Sequence, residues 1–78
     1  MKDYTKAEAA FRESLVLDSS DVPANLNLGM SLAFQGKYDE AIPYFEKGLE
    51  YGNDTERALA SKNLKELYAE KEEWEKKL

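Results

Sequence analysis

The sequence predicts an all-α fold: antiparallel helix-turn-helix repeats making about four helices, the last of them long. Three observations carry this. Apolar residues recur at spacings of three and four along most of the chain, and no stretch alternates as a half-buried strand would. Turn-forming clusters break the rhythm at Asp18–Asp21, Gln35–Lys37 and Gly52–Asp54. Two of the helical stretches also match one another, residue type for residue type, at an offset of 34.

The first helix is expected over residues 3–18. Tyr4, Ala7, Ala10, Phe11, Ser14 and Leu15 form its stripe, with Leu17 beside them. Asp18-Ser19-Ser20-Asp21 then supplies four residues that favour turns and N-caps. The second helix opens at Asp21 or Val22 and runs to about Phe34. Pro23 suits its first turn, where a missing N–H does no harm. Val22, Leu26, Leu28, Met30, Leu32, Ala33 and Phe34 make it apolar on most sides, so it needs neighbours on more than one face.

After Gln35-Gly36-Lys37 the third helix carries Tyr38, Ala41, Ile42, Phe45, Gly48 and Leu49 on one stripe. Pro43 lies early enough to remove one hydrogen bond without ending it. Gly52-Asn53-Asp54 stops it. Asn53 with Glu56, or Thr55 alone, can cap the next start. Residues 55–77 contain neither Gly nor Pro and read as one long terminal helix. Ala60, Leu64, Leu67, Trp74 and Leu78 fall near one side, with Lys71 interrupting them. Glu72 with Lys76 and Glu73 with Lys77 are favourably oriented pairs. Short breaks between helices imply antiparallel neighbours.

The repeat is specific. Tyr4-x2-Ala7-x3-Phe11-x3-Leu15 matches Tyr38-x2-Ala41-x3-Phe45-x3-Leu49. Ala24-x2-Asn27-Leu28 matches Ala60-x2-Asn63-Leu64, at an offset of 36, with the two extra residues near Gly52–Thr55. Physically, Gly29 and Ala41 let two helices approach closely, and Phe45 and Tyr38 fill the space between layers. Gly48 and Ser14 are small for the next contact along the stack.

A 34-residue period of two helices resembles the tetratricopeptide repeat. Asn25-x2-Leu28-Gly29-x2-Leu32 followed by Ala41-x3-Phe45 fits that family's pattern, and Gly36-Lys37-Tyr38 sits where the family turns. Asn25 replaces its aromatic, Leu32 its tyrosine and Asn53 its proline. The last unit is degenerate, with Lys65 for the glycine and Lys77 for a small residue. The resemblance implies a single domain over residues 1–78, a fragment of an α-solenoid. It holds the second helix of one repeat (3–18), a complete repeat (21–52) and the first helix of a degenerate repeat running on as a cap (55–77).

Composition narrows the function. The 78 residues hold 11 Lys and Arg against 16 Asp and Glu, a net charge of −5. Residues 56–78 balance six against six, so the whole excess lies in residues 1–55. Nucleic acid and anionic membrane need the opposite balance and are not expected partners. Cys and His are absent, which removes disulfides, thiolate nucleophiles, imidazole bases and nearly all zinc and iron sites. Asp39-Glu40 and Glu72-Glu73 are adjacent carboxylates, but neighbours on a helix point about 100° apart and cannot face each other. There is no Gly-rich phosphate loop, and Asp18–Asp21 is too short for a calcium loop. No catalytic residue, metal or cofactor is expected, and the chain reads as non-enzymatic. No apolar run approaches the ~20 residues of a membrane span. The start does not read as a signal peptide, which points to the cytoplasm.

The resemblance further implies a protein-interaction module whose first helices line a concave groove for a peptide or partner protein. Carried over, Leu26, Asn27, Met30, Ala33 and Phe34 face that groove from the complete repeat. Leu59, Lys62, Asn63, Glu66, Ala69 and Glu70 follow from the last helix. Asn27 and Asn63 occupy equivalent places and can each donate to and accept from a peptide backbone. Leu26, Met30 and Phe34 suggest that apolar side chains are read. A clamp for C-terminal carboxylates, known in part of the family, is disfavoured: Asn27 fits one of its places, but Leu59 and Asn63 stand where it has Lys and Arg. The alternative reading is structural, with a second copy forming a homodimer over the Phe11 side of the first helix, or the chain being part of a larger scaffold array.

Overall fold

Three of the four helices start where a side chain meets the free N–H groups that open a helix. Asp3 accepts from the Thr5 and Lys6 amides at 3.1 and 3.3 Å, Asp21 from Ala24 N at 3.1 Å. Asn53 and Glu56 form a reciprocal capping box, at 2.8 and 3.0 Å. In the computed structural model, which describes residues 3–77, these caps open α1 (Tyr4–Leu17), α2 (Val22–Phe34) and α4 (Asp54–Lys76). The remaining helix, α3 (Tyr38–Tyr51), has no side-chain cap, but Asp39 and Glu40 in its first turn suit the positive end of its dipole. Among the described residues there is no strand. Met1 and Leu78, the latter expected on the stripe of the last helix, lie outside them.

The breaks are as specific as the starts. Gly36 has φ +80°, the left-handed conformation that favours glycine. Its N–H donates to the Ala33 carbonyl at 3.0 Å, and that of Lys37 to Leu32 at 2.9 Å, which closes α2 with a Schellman turn. Gly52, the C-cap of α3, has to be glycine for a different reason: a Cβ there would meet the Gly48 carbonyl oxygen and lie 2.8 Å from Glu56 Cβ. Pro43 sits inside α3 without breaking it.

The apolar girth of α2 has its consequence in the packing. This helix touches α1, α3 and α4, and Val22, Ala24, Leu26, Leu28, Gly29 and Leu32 are all buried. Neighbours run antiparallel. The start of α1 meets the end of α2 through the Tyr4 and Phe34 rings, 4.9 Å apart. The start of α3 meets the far part of α4 through an ion pair of Asp39 with Lys71. Two close approaches set the stacking. A Cβ at Gly29 would lie 3.0 Å from the Phe45 ring, and one at Gly48 would lie 2.7 Å from Leu26 Cδ2 and 3.1 Å from Ala60 Cβ.

Several expectations need revision. Leu26 is not a groove residue: it is 4% exposed and fills the space that Gly48 and Ala60 leave open. The stripe on α4 is buried only as far as Leu67, and Trp74 is half exposed, because α4 overruns the start of α3. Lys71, which interrupts that stripe, bridges to Asp39. Glu73 pairs with Lys76 at 3.9 Å, not with Lys77, which has become the C-cap. Ser14, the counterpart of Gly48, is exposed, because the other face of α1 has no helix against it.

None of the residues of α1 is buried. It is held by half-buried Phe11 and Leu15 and by a polar clasp. Glu8 accepts from Gln35 Nε2 at 2.9 Å and Arg12 Nε at 2.9 Å, with Lys37 Nζ at 3.4 Å. Arg12 in turn donates to the Tyr44 hydroxyl at 3.1 Å. The Gln35 amide first, and then the Arg12 guanidinium, hold the Glu8 carboxyl below the ordinary glutamate value of 4.5.

Two predictions follow from this packing. Gly29→Ala should destabilise the fold by about 1 kcal/mol net in chemical denaturation, because overpacking of roughly 1–3 kcal/mol outweighs a helix-propensity gain of about 1. For Glu8, the folded chain binds fewer protons than the unfolded one, so the contribution is complete above pH 4.5 and is lost as pH falls through the lowered folded value. Glu8→Gln should therefore lower stability by about 1 kcal/mol at neutral pH, with the gap to wild type closing in denaturation curves taken at progressively more acid pH.

Candidate functional site

The side chains left facing outwards between α2 and α4 define the candidate site. A cleft of about 70 Å³ lies there, lined by Met30, Ala33 and Phe34 of α2, Phe45 of α3, and Asn63, Glu66, Leu67 and Glu70 of α4. Helical spacing explains the set. Met30, Ala33 and Phe34 fall at three and four residues on one face of α2, and Asn63, Glu66, Leu67 and Glu70 do the same on α4. Phe45 is buried; pressed against Gly29, it closes the cleft from beneath.

Six of the eleven residues expected to face the groove line this cleft: Met30, Ala33, Phe34, Asn63, Glu66 and Glu70. Phe34 is 60% exposed, with one face of its ring beside Tyr4. Asn27 and Lys62 are exposed on the same two helices but do not line the cleft. Leu26 belongs to the core. Leu59 is exposed nearer the start of α4, and Ala69 lines a separate opening with Tyr38 and Trp74.

The cleft is chemically mixed. Residues 22–34 contain no ionisable side chain, so its α2 wall is uncharged, whereas α4 supplies Glu66 and Glu70. Asn63 Nδ2 is buried and has no hydrogen-bond acceptor among the described residues. A buried amide donor left unpaired is unfavourable by roughly 1–3 kcal/mol.

Two features escaped sequence reasoning. Asn25, noted only as standing in an aromatic's place, is fully buried. Its Nδ2 donates to the Ser19 and Asp21 carbonyls at 3.1 and 2.9 Å, tying the α1–α2 turn to α2, while its Oδ1 has no partner. The signal was available: Asn25 shares a helical face with the apolar Val22, Leu28 and Leu32, four positions after Asp21. The second is a larger opening of about 330 Å³ where α4 overruns α3, lined by Gly36, Lys37, Tyr38, Asp39, Glu40, Lys71, Trp74 and Glu75. Its central charges already satisfy each other. Lys71 pairs with Asp39 and with Glu75, and the hydrogen bond that it donates to the Asp39 carboxylate raises the pKa of the Lys71 ammonium above its ordinary value. It therefore lacks the unmet hydrogen-bonding group that marks the smaller cleft.

Among the described residues no group of three or more Asp and Glu gathers as a metal site would require, and no helix is long and apolar enough to cross a membrane.

Residues 22–51 match the family model described as Tetratricopeptide repeat. The match spans α2 and α3, so these two helices form one tetratricopeptide repeat. No curated protein and no solved structure gives a significant match. Tetratricopeptide repeats generally mediate protein–protein interaction and are typically non-catalytic.

If the Asn63 amide is held in the cleft at the expense of stability, replacing it with a residue of similar size and no polar atoms should not harm the fold. Asn63→Leu is expected to match or exceed the wild-type midpoint in thermal unfolding, by up to about 1 kcal/mol.

Proposed function

We propose that this chain is a non-catalytic protein-interaction module whose α2–α4 cleft receives a peptide segment of a partner protein. The observation that carries this reading is the Asn63 amide, a buried donor without an acceptor in a cleft edged by the apolar Met30 and Phe34. A backbone carbonyl would meet that donor, while a neighbouring apolar side chain would lie against Met30 and the exposed face of Phe34. Size favours a peptide over a small molecule. Pockets for drug-sized ligands run to about 300–1,000 Å³, and a cleft of about 70 Å³ suits a single side chain of a longer ligand. Asn27 and Lys62, exposed on the flanks, are placed to touch the same ligand beyond the cleft.

Self-association is the competing reading. It would use the outer side of α1, where Val16 and Leu17 are 84% and 88% exposed and no helix is packed. The two readings involve different helices, so one experiment separates them. Peptides selected from a random library on the wild-type protein should shift the Asn63 side-chain amide and Met30 methyl resonances and leave those of Val16 and Leu17 in place. Met30→Ala with Asn27→Ala should weaken the selected peptides about tenfold in calorimetric titration while leaving the helical circular dichroism unchanged. Peptides that bind the double variant as tightly as wild type would remove the α2 face from the site.

A further inference from the structure

The charge on the cleft is one-sided. Its α2 wall has no ionisable group, and its α4 wall presents Glu66 and Glu70, both exposed and one helical turn apart. Like charges at that spacing disfavour a helix slightly, and neither residue buries apolar surface in the core. Elsewhere on α4, Glu72 and Glu73 lie beside Lys76, and Glu75 beside Lys71. Glu66 and Glu70 take part in none of the ion pairs among the described residues. Lys62 stands one turn before Glu66 without reaching it. Lys71, next to Glu70 in sequence, is turned away to Asp39.

We propose that the cleft selects basic peptide segments: an apolar side chain seated against Met30 and Phe34, with a lysine or arginine next to it paired with Glu66 and Glu70. This rests on the peptide-binding reading above and adds the charge of the ligand to it. Three groups of the cleft define three features of the occupant. The apolar edge takes a side chain, the Asn63 amide takes a backbone carbonyl, and the two carboxylates take a cation. A net charge of −5 would also draw cationic segments towards the protein and speed their arrival. An acidic peptide would bring its own carboxylates against Glu66 and Glu70, and that repulsion supplies discrimination.

The test is peptide selection from a random phage library on three immobilised proteins: wild type, Glu66→Gln/Glu70→Gln, and Glu46→Gln/Glu50→Gln. The last removes the same charge from an identically spaced, exposed pair on α3, outside the cleft. Glutamine is nearly isosteric with glutamate and is as good a helix former, so the fold should persist, as circular dichroism would verify. Wild type and the α3 variant should both enrich Lys or Arg within a few positions of an apolar residue. The cleft variant should retain the apolar preference and lose the basic one. A wild-type-selected peptide should bind the cleft variant about tenfold more weakly at low salt, and the difference should shrink at ~0.5 M salt as screening shortens the reach of the carboxylates. Equal loss of the basic preference in both variants would overturn the proposal, since net charge and not the cleft would then be responsible. Selected peptides that are neutral or acidic would overturn it while leaving the peptide-binding reading intact. Failure of wild type to select any peptide would overturn both.

Discussion

The contact on which the rest depends is the edge of the Phe45 ring against the bare backbone of Gly29. With the ring 3.0 Å from where a Cβ would stand, α2 and α3 lie closer than two ordinary helix faces permit. That approach buries Leu28, Leu32, Ala41 and Phe45 almost completely. It also makes Phe45 the floor of the α2–α4 cleft, so one aromatic residue anchors the core and shapes the candidate site. The second close approach, at Gly48, seats Leu26 and Ala60 and so brings α4 alongside α2. Between them, two glycines and one alanine determine how the helices stack, and hence which side chains of α2 and α4 remain free to face each other.

Stability is distributed unevenly around this centre. The middle of the chain is close-packed, while α1 has no buried residue and relies on a clasp of Glu8, Arg12, Gln35, Lys37 and Tyr44. Hydrogen bonds and ion pairs near solvent are individually weak. The exposed end of α4 is tied mainly by Lys71 to Asp39. Local opening should therefore begin at these two flanks. The cleft lies between α2 and α4 over the buried part of the molecule, and α1 reaches it through the Tyr4 ring beside Phe34.

The helices were legible from periodicity and caps because both are local. Asp21, Gly36 and the Asn53–Glu56 pair act through backbone groups only a few residues away, and their effect needs no knowledge of the fold. The 34-residue offset matched Ala7 with Ala41 and Phe11 with Phe45 for a related reason: a repeat puts like residues in like surroundings. What the sequence did not reveal depends on where a helix loses its neighbour. Leu26 and Met30 are one turn apart, and periodicity treats them alike, yet Gly48 and Ala60 open a hole for the first and not for the second. Trp74 continues the stripe of Leu64 and Leu67, but α3 has already begun by that point and no longer covers it. Lys77 has the right spacing to pair with Glu73, but it stands at the helix end and the pair is not made. Met30, Phe34, Asn63 and Glu66 could be assigned to one surface because a shared face is periodic; their meeting with Phe45 and Leu67 in a single cleft could not.

Two asparagines bear on how such a site should be recognised. Asn25 and Asn63 each carry one buried polar atom without a partner, and the same penalty applies to both. Their remaining surroundings separate them. Asn25 is fully enclosed, and its amide already holds two carbonyls of the α1–α2 turn. The gain there offsets an idle oxygen that no ligand could reach. Asn63 is only partly buried and lines an open cleft that a ligand can enter. An unpaired buried group is a sign of function only when the residue has no structural duty that accounts for it and a ligand has a path to it. Asn63 meets both conditions and Asn25 meets neither, which is why the functional reading is placed between α2 and α4 and not at the turn that Asn25 secures.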